Sequence, residues 1–115
     1  MAVVDMFAGM SVSDYPASVA WYEKLLGAPP AFLAHETEAV FAVLDNAWLY
    51  VELEPDHAGH AQVTLFVDDL DERVTAITSR GIEPASRETY DNGVRKVIYH
   101  DLDGNEIGFG GGPAS

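Results

Sequence analysis

The chain has no cysteine among its 115 residues, so disulfides, thiolate metal sites and thiol nucleophiles are excluded together. That composition suits a reducing compartment, and a cytoplasmic location is expected. Positive charge is scarce: 6 Lys and Arg stand against 19 Asp and Glu, a formal net charge of −13. Nucleic acid and anionic membrane surfaces both call for a basic face and are not expected partners. A cationic ligand is compatible with this balance, which by itself also keeps a protein soluble. Long hydrophobic runs are missing too, and no run approaches the roughly 20 residues that span a bilayer. The opening stretch Met1 to Met10 has no basic leader and is interrupted by Asp5, unlike a signal peptide. Several chemical motifs are also missing. There is no Gly-x-Ser-x-Gly elbow. The glycine-rich run from Gly108 to Gly112 opens no helix, so it is not a phosphate loop. His35, His57 and His100 show no short ligand spacing such as His-Glu-x-x-His. His57 reads as part of a linker, and His100 as the end of a strand on the helix side.

What remains is ample for a core. Hydrophobic residues make up 48% of the chain, and a chain of this size buries roughly two thirds of its unfolded surface. The length predicts one domain over 1–115, with an internal repeat of about 1–55 and about 60–112. Val12-Ser13-Asp14-Tyr15 and Val67-Asp68-Asp69-Leu70 each follow an alternating apolar stretch and precede a helical pattern. The helices stop at Gly27 and Gly81, and prolines follow at Pro29-Pro30 and Pro84. In the first helix Pro16 suits the first turn, and Val19, Tyr22 and Leu26 form an apolar stripe widened by Trp21 and Leu25. In the second, Asp69 and Glu72 are spaced as a capping pair, and Leu70, Val74 and Ile77 share a face.

Strands are predicted at 3–12, 32–35, 40–44, 48–54, 61–67, 83–89, 94–100 and 106–110, with 111–115 as a frayed tail. Asp45-Asn46 and Asp103-Gly104-Asn105 read as turns. Asp91-Asn92-Gly93 reads as a hairpin turn, because Asn-Gly tolerates positive φ. The order is β-α-β-β-β, twice. The fold class is α+β: two tandem modules forming a curved mixed sheet around a cavity, with helices on the outer face.

Side chains alternate between the faces of a strand. Ala8, Met10 and Val12, then Leu49, Val51 and Leu53, then Val63, Leu65 and Val67, then Ile107 and Phe109 make apolar sets that should pack under the helices. The opposite sets mix aromatics (Phe7, Trp48, Tyr50, Phe66), small residues (Gly9, Ser11, Gly108, Gly110) and polar groups (Glu52, Gln62, Thr64, Glu106). Such a face on a curved sheet is expected to line an apolar cavity with a few placed polar atoms, although half-buried sheet faces also occur without ligands.

Three stretches resemble the vicinal-oxygen-chelate superfamily of glyoxalases, bleomycin-resistance proteins and extradiol dioxygenases. Val12 to Gly27 is similar to its opening signature: a strand, an Asp, then a helix with an aromatic pair and a closing Leu-Gly. Phe66-Val67-Asp68-Asp69-Leu70 is similar to the middle strand-to-helix entry. Asp101-Leu102-Asp103-Gly104-Asn105-Glu106-Ile107 is similar to the closing Asp-Pro-Asp-Gly-Asn and strand, with Leu102 in place of the proline. The resemblance implies that metal-dependent members place four ligands at the positions of Phe7, Glu52, Gln62 and Gly108. Phe7 and Gly108 have no side-chain donor, and Gln62 is a weak one, whereas a catalytic ion needs about three His or carboxylate ligands. A shifted set of Glu52, His60 and Glu106 shares the parity of that face. No cofactor is therefore expected beyond a divalent metal held as an alternative. The reading favoured, implied by a resemblance to the bleomycin-resistance branch, is a non-catalytic binder of a small cationic aromatic molecule, through Phe7, Trp48, Tyr50, Glu52, Gln62, Phe66 and Glu106. The alternatives are a metal-dependent lyase or dioxygenase of the glyoxalase type and a ligand-free dimeric interaction module. A homodimer is implied by the resemblance.

Overall fold

The computed structural model of the chain describes residues 2–114. Module one comprises β1 (Met6–Val12), α1 (Tyr15–Leu26), β2 (Phe32–His35), β3 (Glu38–Leu44) and β4 (Ala47–Leu53). A 3₁₀ turn at Pro55–His57 leads to module two: β5 (Gln62–Phe66), α2 (Leu70–Ser79), β6 (Ser86–Thr89), β7 (Arg95–His100) and β8 (Glu106–Gly111). The tandem β-α-β-β-β order is therefore present. Each module carries its own four-stranded mixed sheet, sheet one in the order β1-β4-β3-β2 and sheet two in the order β5-β8-β7-β6. In both, the first strand runs parallel to the last and the other neighbours are antiparallel.

Most strand boundaries move by a residue or two, for reasons of pairing. β1 starts at Met6 rather than at Val3, because its partner β4 begins at Ala47, level with Met6. β6 starts at Ser86, where pairing with Ile98 begins, rather than at Glu83. β3 gains Glu38 and Ala39, which lie opposite Glu52 and Val51. β8 runs on through Gly111, which alternation assigns to the tail. A Cβ there would lie 2.8 Å from the Cβ of Leu70, so the bare backbone lets the start of α2 settle on the strand. Ser115, the end of the expected tail, lies outside the described residues.

The helix signals act largely as read. The Asp14 carboxylate accepts the Ala17 N–H at 3.1 Å, and Pro16 sits in the first turn. Gly27 adopts φ 78° and donates its N–H to Glu23 O at 2.8 Å. Gly81 takes φ 96° after α2. The expected Asp69–Glu72 capping pair does not form. Both Asp69 oxygens turn to Arg73, at 3.1 and 3.3 Å, and a two-pronged charge-assisted pair outcompetes a single N–H. In the hairpin loop the one positive φ is that of Gly93, 88°, because Tyr90 and Val94 close a three-residue loop rather than a two-residue one.

The apolar strand sets meet the helices in a shared core. Tyr22 and Leu25 of α1 and Leu70, Val74 and Ile77 of α2 pack with Met10, Val12, Leu49, Val51, Ile107 and Phe109. The loop from Asp101 to Asn105 joins the modules. Asp101 Oδ2 accepts the Tyr22 hydroxyl at 2.7 Å and Asn105 Nδ2 at 2.8 Å, while Oδ1 accepts the N–H groups of Asp103 and Asn105, each at 2.9 Å. Asn105 also donates to Ser11 O at 2.8 Å and accepts the Ala61 N–H at 2.9 Å. Asp103 accepts both the N–H and the hydroxyl of Ser13. From the other side, Arg80 donates to the last carbonyls of α1, Lys24 O and Leu25 O.

Candidate functional site

Sheet one presents an aromatic face. The β1–β4 register sets Phe7 level with Trp48, Gly9 with Tyr50 and Ser11 with Glu52. Phe7 stacks on Trp48 at 6.0 Å and 15°, and Phe32 of β2 meets the same indole edge-on at 5.7 Å. Tyr50 lies across Gly9: a Cβ on that glycine would come within 2.4 Å of the phenol ring. Phe7 is 51% exposed, so the stack faces solvent.

One end of this face is polar. The two-residue turn between β2 and β3 places His35 across from Glu38, which is itself directly opposite Glu52 on β4. His35 Nε2 lies 3.2 Å from Glu38 Oε1 and 3.5 Å from Glu52 Oε2. The Thr37 N–H donates to His35 Nδ1 at 3.3 Å, and Thr37 Oγ1 is 3.2 Å from the same nitrogen. Burial, and then the charge of Glu38, holds the Tyr15 hydroxyl above the usual phenol range.

Sheet two differs in character. Gln62, Thr64 and Phe66 lie level with Glu106, Gly108 and Gly110. Phe66 is 70% exposed and its ring passes over Gly110. Lys96 crosses Gly108, where a Cβ would be 2.6 Å from the lysine Cε, and its ammonium reaches within 3.8 Å of Glu106. His100, expected on the helix side, is instead level with Glu106, its Nε2 4.0 Å away, because β7 pairs with β8 in that register.

The seven residues expected to line one cavity thus fall into two groups. Phe7, Trp48, Tyr50 and Glu52 share sheet one, while Gln62, Phe66 and Glu106 share sheet two. The exposure of Phe7 and Phe66 shows that neither group is covered by the other. A groove of about 1180 Å³ does run between the modules. It is lined by helix-side residues such as Ala8, Leu49, Val63, Leu65 and Phe109, and from the seven by Trp48 and Phe66. Reading the sequence missed Phe32, His35, Glu38 and Lys96. The signal for His35 and Glu38 lay in the spacing, since two residues flanking a two-residue turn end up across a hairpin from each other.

The four positions that the resemblance assigns to metal ligands do not fit an ion. Phe7 is committed to a stack with Trp48, four residues before Glu52 on β4, and Lys96 overlies Gly108 with a fixed positive charge. The shifted set of Glu52, His60 and Glu106 is not gathered either. Among the described residues, the one group of three His or carboxylate side chains with ligand atoms within 4.8 Å of one another is His35, Glu38 and Glu52.

The family model of the Glyoxalase/Bleomycin resistance protein/Dioxygenase superfamily matches residues 4–109. The chain belongs to that superfamily. It is 51% identical to a solved glyoxalase/bleomycin resistance protein from Catenulispora acidiphila, over 96% of this chain and 100% of that one, with a TM-score of 0.93. Two more distant structures share the fold. A lactoylglutathione lyase from Agrobacterium tumefaciens is 20% identical, with a TM-score of 0.76 over 93% of this chain and 92% of that one. A glyoxalase/dioxygenase from Nostoc punctiforme is 24% identical, with a TM-score of 0.70 over 94% and 90%. No curated protein matches the chain. Among the described residues, no helix is long and apolar enough to cross a membrane.

Proposed function

We propose that this superfamily member is a non-catalytic binding protein for a small, planar, cationic molecule. The observation that carries the reading is the solvent-facing stack of Phe7 and Trp48, flanked by Tyr50 and ending at Glu52. Aromatic faces attract planar cations, each by about 0.5–2 kcal/mol, and a carboxylate at the end of the face supplies the counter-charge. The lack of donors at Phe7 and Gly108 speaks against turnover through an ion at the superfamily's positions. The proposed working unit is a cytoplasmic homodimer in which sheet one of one copy faces sheet two of its partner, so that Gln62, Phe66 and Glu106 complete the ligand site. The strands of sheet one contain Glu38 and Glu52 but no Lys or Arg, whereas Lys96 of sheet two shares the face of Gln62, Phe66 and Glu106 and would offer them a cation.

Quenching of tryptophan fluorescence by ethidium and acridine orange tests the binding, and sedimentation velocity tests the dimer. Saturable quenching is expected. Phe7→Ala and Glu52→Gln should each weaken it about 3- to 30-fold, the equivalent of the cation–π energy above. Absence of saturation, or quenching unchanged in Phe7→Ala, would remove the ligand reading. A monomer at micromolar concentration would remove the dimer.

A further inference from the structure

Glu38 and Glu52 sit directly opposite each other on β3 and β4, an arrangement in which like charges repel. Sheet two has its own cation, Lys96, beside Glu106. Sheet one has no Lys or Arg in its strands, and what stands between its two carboxylates is the imidazole of His35. We propose that His35, Glu38 and Glu52 form a binding site for one first-row divalent cation of the Zn²⁺, Co²⁺ or Ni²⁺ kind. The site shares Glu52 with the superfamily positions but takes its other two ligands from the β2–β3 hairpin, so it lies within a single sheet of a single module.

Four observations support it. Ligands bound to such an ion at about 2.0–2.2 Å in a tetrahedron are about 3.3–3.6 Å apart. The His35 nitrogen is already 3.2 and 3.5 Å from the two carboxylate oxygens, so little movement is needed to close on an ion. The donor set of one imidazole and two carboxylates suits borderline divalent metals and balances their charge. The side chains are 52%, 21% and 29% exposed, which leaves a path in and room for water as the remaining ligand. Finally, the second ring nitrogen has a partner. Nδ1 accepts the Thr37 N–H, which leaves Nε2 facing the two carboxylates. With an ion on Nε2 a neutral ring would carry its proton on Nδ1, where Thr37 Oγ1, 3.2 Å away, would accept it once the Thr37 N–H has turned from that nitrogen.

The inference does not depend on the aromatic-cation reading. An ion at Glu52 would take the carboxylate which that ligand is proposed to use, so the two should compete. The test is calorimetric titration of the metal-stripped full chain with Zn²⁺, Co²⁺ and Ni²⁺ in turn, without other ligand, together with the visible spectrum of the Co²⁺ form. One ion per chain is expected, with a four- or five-coordinate Co²⁺ spectrum. His35→Ala, Glu38→Gln and Glu52→Gln should each weaken binding by more than roughly 100-fold, and Thr37→Val by roughly 10-fold, the scale of losing a ligand's supporting hydrogen bond. His100→Ala, the other histidine beside a carboxylate pair partner, should bind as the wild type does. Phe7→Ala should also keep the ion while binding the aromatic cation about 3- to 30-fold more weakly, which separates failure of this site from failure of the proposed function. No stoichiometric ion in the wild type, or undiminished binding in a folded His35→Ala, would overturn the site.

Discussion

Tyr22 shows how a single residue can be legible in one respect and hidden in another. Its place on the apolar stripe of α1 follows from spacing alone. Its partner does not, because Asp101 is 79 residues away and nothing local joins them. Burial first, and then the Asp101 charge and hydrogen bond, lift the Tyr22 phenol well above its ordinary 10.0. The folded chain therefore keeps a proton that the unfolded chain gives up once the pH passes about 10. The contribution of Tyr22 is whole below that point and is lost as the pH rises above it, at up to about 1.4 kcal/mol per pH unit. Tyr22→Phe should cost about 1–3 kcal/mol near neutrality, since Asp101 is left one donor short in a buried place. It should also make the alkaline fall in stability shallower, as read by urea melts between about pH 8 and pH 11. An alkaline slope equal to that of the wild type would assign the fall to the other tyrosines. His35 is the opposite case. Judged by motif spacing it had no partners, and its role emerges only from the pairing of two short strands.

Among the elements, strand alternation carried most of the information. Of the sets predicted to face the helices, Met10, Val12, Leu49, Val51, Ile107 and Phe109 are in the core, Val63, Leu65 and Val67 are partly buried against it, and Leu53, at the end of β4, is exposed. Burying one face of a strand imposes period two on the sequence only where the face is covered. Boundaries were less legible, since a strand lasts only as long as its neighbour, and the neighbour's length is not written locally. Glycine roles were legible in part. Gly27 and Gly81 announced themselves as helix ends, but Gly9 is in a strand for a packing reason: it makes room for Tyr50. Gly9→Ala would push a methyl group into that ring, and overpacking of this sort costs about 1–3 kcal/mol. Tyr50→Ala on its own should be milder, as Tyr50 is half-buried. The double variant should be more stable than the sum of the two single losses implies, because the ring that clashes is gone. Denaturant melts of the four proteins provide the cycle, and strict additivity would mean that Tyr50 does not rest on Gly9.

At the scale of the whole molecule, alternation says which residues share a face but not which face meets which. That is why seven residues of equal parity were expected around one cavity and are divided between two sheets. The closing motif, in contrast, was legible as a signature without a stated purpose, and its purpose is mechanical. Asn105 is fully buried, and its amide ties β8 of module two to Ser11 of module one and to Ala61 at the entry of β5. Both tryptophans, Trp21 and Trp48, lie in module one, so indole fluorescence follows that module while far-ultraviolet circular dichroism follows both. With one core shared between the modules, the two signals should melt together in the wild type. Asn105→Ala strands the Ser11 carbonyl and the Ala61 N–H, both half-buried, at about 1 kcal/mol or more for each group left without a partner. It should lower the melting temperature by on the order of 10 °C, and because the loss falls on the joint, the two signals should separate. Curves already apart in the wild type would show that the modules unfold independently despite their shared core. Curves that stay together in a destabilised Asn105→Ala would place the coupling in the packing of α1 against α2 rather than in the Asp101–Asn105 loop.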